Sequence, residues 1–88
     1  GPDDMAAQAG QAVSNLTDAL RVAGSSPERI VKLVLFATDV DRFMAEGMPL
    51  CRGLYDAGPS STLIGVTRLA HPDLMFEIEA VAECGEQA

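Results

Sequence analysis

Glu77 and Glu79 are the residues of this sequence best placed to do chemistry. They stand two apart in a stretch where Leu74, Phe76, Ile78, Ala80 and Ala82 are all apolar. A strand over 74–82 puts those five on one face and Met75, Glu77, Glu79 and Val81 on the other. Two carboxylates side by side can hold, orient and activate water, the work of a general acid or base. The plainer alternative is the polar outer face of a sheet. A second candidate lies upstream, where Gly58-Pro59-Ser60-Ser61-Thr62 offers hydroxyls and backbone amides that could receive a carboxylate. Ordinary turn chemistry uses the same residues.

Other reactive side chains read as structural. Asp39 and Asp41 are spaced like a metal pair. However, they sit at a strand-to-helix boundary, where Asp caps, and no calcium-loop pattern follows. His71 is the single histidine, in a loop with Pro72, so no two-histidine metal site can form. Cys51 lies beside Arg52 but in an apolar helical context, which favours a buried thiol; Cys84 falls in the polar tail. No metal or cofactor is expected. The sequence has no phosphate loop, dinucleotide fingerprint or G-x-S-x-G elbow.

These residues need elements to hold them. Met5, Ala9, Ala12, Val13, Leu16, Ala19, Leu20 and Ala23 recur at helical steps, which predicts a helix over 3–23 with Asp3 or Asp4 at its start and Gly24 at its stop. The nearly continuous apolar run 30–38 predicts a strand inside a sheet, covered on both faces. A second helix is expected from Asp39, kinked or split at Gly47 and Pro49. Strands over 61–69 and 74–82 follow, and the short join through Ala70-His71-Pro72-Asp73 predicts an antiparallel hairpin. The order α-β-α-β-β indicates an α+β fold with two helices on one face of a small sheet.

Composition narrows the function. With 88 residues, 48% hydrophobic, the chain has room for one small domain that buries only about 60–65% of its unfolded surface, so association is a natural supplement. A net charge of −7 repels a phosphate backbone, and its six basic residues are never adjacent. Aromatics are 5%, without Trp, which gives no stacking platform for bases. No apolar run approaches the ~18 residues of a membrane span. Neither nucleic acid nor membrane is expected as a partner, and a reducing cytoplasm is the expected setting.

Taken in order, Gln8, Asn15-Leu16, Leu20, Ala23-Gly24, Ile30-Val31-Lys32, Phe36 and Asp39 resemble the helix and strand of the RidA/YjgF family. Pro59, Thr62, Val66 and Leu69, followed by Glu77-Ile78-Glu79-Ala80-Val81-Ala82, resemble its closing strands. The resemblance implies a chorismate-mutase-like α+β fold and a homotrimer with clefts between neighbouring subunits that bind small carboxylates. It also implies hydrolysis of enamines or imines to ketoacids and ammonia. It makes Glu77 the catalytic carboxylate that orients or activates water, with Ser61, Thr62 and Glu79 as substrate-binding residues. In deaminating members an Arg occupies the position of Ser61, and members begin with three strands for which this sequence has no counterpart: the sequence is a fragment, another chain supplies them, or the fold is rebuilt. A non-catalytic binding or assembly module of the same fold is the alternative. Ribonuclease activity, credited to some members, fits poorly with the acidity and with the lack of a His/acid constellation.

Overall fold

The structure, a computed structural model, describes residues 3–85. Helix α1 runs Met5–Val22. The Asp4 carboxylate accepts the Ala7 N–H at 2.9 Å, satisfying one of the helix's unpaired first-turn donors. At the other end Gly24 takes φ 80°, and the Ser25 N–H closes on the Leu20 carbonyl at 2.8 Å. Met5, Ala9 and Leu20 are buried, with Ala12, Val13 and Leu16 packed against them.

Strand β1 (Ile30–Ala37) lies at the centre of a three-stranded sheet of order β2-β1-β3. Strand β2 (Ser60–Gly65) pairs parallel to it, and β3 (Phe76–Ala82) pairs antiparallel on its other side. Ile30 faces Ala82 while Lys32 faces Val81, so Val31 is an extra, bulged residue. The bulge resets the alternation, which lets Ile30 join Leu33, Leu35 and Ala37 in the core although the odd–even pattern would turn it outward.

Residues 40–55 form the crossover that parallel pairing of β1 and β2 requires. The Asp39 carboxylate accepts the Arg42 N–H at 3.0 Å and caps helix α2 (Val40–Arg42). Pro49 has no N–H to give, and its ring crowds the preceding turn. The chain answers with a wide π-type turn, Phe43–Gly47, in which the Met48 N–H reaches the Phe43 carbonyl, before helix α3 (Met48–Cys51) and a 3₁₀ turn (Arg52–Tyr55). The expected interruption is thus present. The Phe43 ring stacks on Phe76 at 4.4 Å between centroids, tying the crossover to β3.

Two expectations are corrected. Strands β2 and β3 do not form a hairpin: they flank β1 from opposite sides, joined by residues 66–75. Strand β2 ends when the Val66 N–H donates to the Ala37 carbonyl, and the chain then crosses the end of β1, where the Thr38 N–H donates to the Met75 carbonyl. The apolar face of β3 lies under α1 only on that far flank, and a place beside β2 would leave the α1 stripe uncovered. Nor is β1 covered on both faces. The helices occupy one side, while on the other Lys32 is exposed and Val34 and Phe36 are half-buried. Among the described residues no helix is long and apolar enough to cross a membrane.

A Cβ at Gly47 would stand 2.5 Å and 2.8 Å from two carbons of the stacked Phe43 ring and 3.2 Å from the Ala9 Cβ. Gly47→Ala, although it adds a good helix former, is expected to cost about 1–3 kcal/mol by overpacking, read as a lower midpoint in urea with an unchanged slope.

Burial also pushes the Cys51 thiol up from its ordinary 9.0 to about 11. The unfolded thiol ionises first as pH rises, so folding stability falls between pH 9 and about 11. Cys51→Ala is expected to flatten that part of the stability–pH curve, and in the native parent a maleimide should label exposed Cys84 well before Cys51.

Candidate active site

The pairing registers arrange the helix-free face of the sheet as three rows. Ser60, Lys32 and Val81 lie side by side; then Thr62, Val34 and Glu79; then Ile64, Phe36 and Glu77. Adjacent paired residues point to the same side, so the structure brings Thr62, Glu77 and Glu79 onto one face. Thr62 and Glu79 lie in one row with Val34 between them, about 10 Å apart by two strand spacings. Glu77 stands one row further along, beside Phe36. All three are exposed.

Ser61 is not brought to them. It pairs with Leu33 on the helix side of the sheet, and its hydroxyl shares a 2.9 Å hydrogen bond with the Tyr55 hydroxyl. Ser61 and Thr62 are neighbours in a strand and necessarily point to opposite faces. A ligand touching both Ser61 and Glu77 therefore has to reach them from two different chains or around the β2 edge.

Glu77 has a second setting. It sits at the mouth of a groove of about 450 Å³ between α1 and β3, lined from the helix by Gln8, Gln11, Asn15 and Leu16 and from the strand side by Leu74, Phe76 and Ile78. The Gln11 amide donates to the Asn15 side-chain oxygen at 2.8 Å. The groove combines an apolar floor with three side-chain amides and one carboxylate, a composition suited to a small polar metabolite. Among the described residues the ion pairs are Arg21–Asp18, Arg42–Asp3 and Arg42–Glu46, so neither Glu77 nor Glu79 is held in an ion pair, with Lys32 one row beyond Glu79 on the same face.

Gln8 positions this arrangement. Its Nε2 donates to the Asp73 carbonyl at 2.9 Å, and its Oε1 accepts the Met75 N–H at 2.7 Å. One side-chain amide thus holds the chain two residues before Glu77. Sequence patterning alone placed Gln8 off the apolar stripe of the helix; only the resemblance singled it out. Asp39 is a cap, and His71 Nδ1 accepts the Asp73 N–H within its own loop. No group of three potential metal ligands exists among the described residues.

Comparison with known proteins gives the family and the fold. The family described as Endoribonuclease L-PSP matches residues 1–84. The chain belongs to the YjgF/RidA family. It is 39% identical over 72 residues to Protein mmf2, mitochondrial, of Schizosaccharomyces pombe, covering 80% of this chain and 57% of that protein. Among solved structures it resembles Rv2704 of Mycobacterium tuberculosis, a YjgF/YER057c/UK114 family member, with TM-score 0.81 and 32% identity over 91% of this chain and 68% of that one. It also resembles YyfB of Yersinia pestis, of the Rid family, with TM-score 0.79 and 34% identity over 93% and 64%. The α+β fold, with α1 and the helical crossover on one face of a mixed three-stranded sheet, is the fold of these YjgF/RidA proteins. The chain spans little more than half the length of the curated relative and about two thirds of the solved ones.

Replacing Gln8 by Leu leaves the Met75 N–H and the Asp73 carbonyl without their partner at similar side-chain volume. A loss of about 1–3 kcal/mol is expected, with the Met75 amide, followed by hydrogen exchange, losing protection more than the amides at the centre of β1.

Proposed function

We propose that this protein binds a small carboxylate-bearing enamine or imine in a cleft between subunits and adds water to it, releasing ammonia and a ketoacid. The observation that carries this reading is the position of Glu77, which stands both on the open sheet face and at the mouth of the groove, with no cation beside it. An ionised carboxylate there can accept a proton from water as the water attacks the imine carbon, and return it to the leaving nitrogen. Glu79, on the same face, supports the charge distribution, and Thr62 offers a hydroxyl. Ser61, on the opposite face from Glu77, meets the same ligand most directly when the β2 edge comes from a neighbouring subunit, which supports a site shared between chains. The half-exposed Val81 and Ile64 on the open face, next to the half-buried Val34 and Phe36, supply apolar surface for such an assembly.

A second reading is supported by Ser61 itself. A neutral hydroxyl already bonded to Tyr55 lacks the charge and the two-pronged geometry with which an arginine grips a carboxylate. On this reading the domain binds or assembles without catalysis.

Ammonia release from 2-aminoacrylate generated in the cuvette separates the two. Catalysis predicts a rate above buffer, and Glu77→Gln, which keeps shape and removes the base, is expected to lower it by about 10²-fold or more. A parent no faster than buffer, or a Glu77→Gln variant as fast as the parent, excludes the hydrolytic reading. Ser61→Arg then tests the missing cation, with improved KM as the expected result in the catalytic case.

A further inference from the structure

The helix side of the sheet is apolar except at one position. Strand β1 turns Leu33, Leu35 and Ala37 to that side, β3 turns Phe76 and Ile78, and β2 turns Leu63. Ser61, paired with Leu33, is the one polar strand side chain there among the described residues. The crossover supplies its partner. Buried Cys51 and Leu54 anchor the 3₁₀ turn Arg52–Tyr55, and Tyr55 packs against the core. The Gly58 N–H then donates to the Tyr55 carbonyl at 2.9 Å, and Gly58 takes φ 68°, so the chain turns back into β2 beside the phenol. The Tyr55 and Ser61 hydroxyl oxygens meet at 2.9 Å.

We propose that Tyr55 is a positioning residue for Ser61: it donates its phenolic proton to the Ser61 hydroxyl and so aims the Ser61 proton at the carboxylate of the ligand. Each hydroxyl carries one proton and two lone pairs. A phenol is a far stronger acid than an aliphatic alcohol, so Tyr55 is the better donor of the two and Ser61 the better acceptor. Ser61 keeps its own proton to give, and it is exposed, so that proton goes to the acceptor that docks there. In a chain from phenol to hydroxyl to carboxylate each bond polarises the next, and Ser61 donates more strongly than it does alone. The packed ring also holds to one direction a hydroxyl that otherwise samples its staggered rotamers. The Tyr55–Ser61 bond is exposed, and water serves either oxygen nearly as well, so the bond adds little to folding. Its effect is to orient. The assignment rests on the reading that a small carboxylate binds here, and not on its hydrolysis.

Pyruvate, the ketoacid that 2-aminoacrylate yields, is the probe, with its affinity measured by calorimetric titration. Tyr55→Phe keeps the ring and its packing, and is expected to weaken pyruvate binding about three- to tenfold with an unchanged midpoint in urea. Ser61→Ala is expected to weaken it at least as much. The double variant is expected to bind no more weakly than Ser61→Ala alone, because Tyr55 then has nothing to aim. A double variant weakened by the product of the two single factors overturns the proposal, since Tyr55 would then act independently of Ser61. Unchanged affinity in Tyr55→Phe overturns it too, as does a parent that does not bind pyruvate. Where the parent releases ammonia from 2-aminoacrylate, Tyr55→Phe is expected to raise KM by the same factor at nearly constant kcat; a lowered kcat at constant KM overturns the assignment. A parent that binds pyruvate and releases no ammonia excludes hydrolysis alone, and the pyruvate affinities of the three variants still decide the role of Tyr55.

Discussion

Everything in this fold is registered against β1. Among the described residues it is the one strand with two neighbours, and Leu33, Leu35 and Ala37 are fully buried beneath the helices. Its pairing with β2 fixes where Ser60, Thr62 and Ile64 stand, and its pairing with β3 fixes Glu77 and Glu79. The side chains available for chemistry sit on the outer strands, so their separation is measured in strand spacings through β1. A slip of one residue in the β1–β3 ladder would exchange faces, driving the glutamates toward the helices and Phe76 toward solvent. The Phe43–Phe76 stack and the Gln8 clamp on Met75 hold β3 against such a slip from two directions.

The local elements of this fold are legible in the sequence because each depends on residues close together. Asp4 and Gly24 bound α1, Pro49 forces the break in the crossover, and alternation from Phe76 to Ala82 gives the faces of β3. Strand order is a different kind of information. The alternation of β3 is the same beside β2 as beside β1, and what decides between them is the area of α1 left to cover, which exists only once the helix has docked. The ten-residue connection, with Pro72 in it, resembles a hairpin loop in sequence because the apolar pattern of the flanking strands continues further into it than the strands themselves do. The missed bulge at Val31 has the same origin: the apolar run from Ile30 to Ala37 masks the point where the alternation shifts.

The candidate site divides along the same line. Placing Glu77 and Glu79 together needs only the two-residue period of a strand. The same period separates Ser61 from Thr62, so a ligand pocket containing both within one chain was never compatible with a regular strand there. The groove was invisible in the sequence because Gln8, Gln11 and Asn15 read as the solvent face of a helix. They do leave the apolar stripe, yet Gln8 turns to the start of β3, and Gln11 and Asn15, although exposed, line the groove beside that strand.

Charge explains why the exposed parts of this sheet need not be a liability. An edge strand beside an apolar groove invites uncontrolled pairing, and a half-apolar sheet face invites stacking. Glu77 and Glu79 stand where the two surfaces meet. Two strands of this kind that approach edge to edge bring like charges together, and two open faces that approach head-on do the same in a chain already at −7. A ligand or partner with positive charge, or one that places a polar group between the carboxylates, meets no such barrier. The carboxylate pair therefore acts as a filter on association whatever else it does. The acidity that argues against a nucleic-acid backbone also sets like charges against one another wherever two such sheet faces meet.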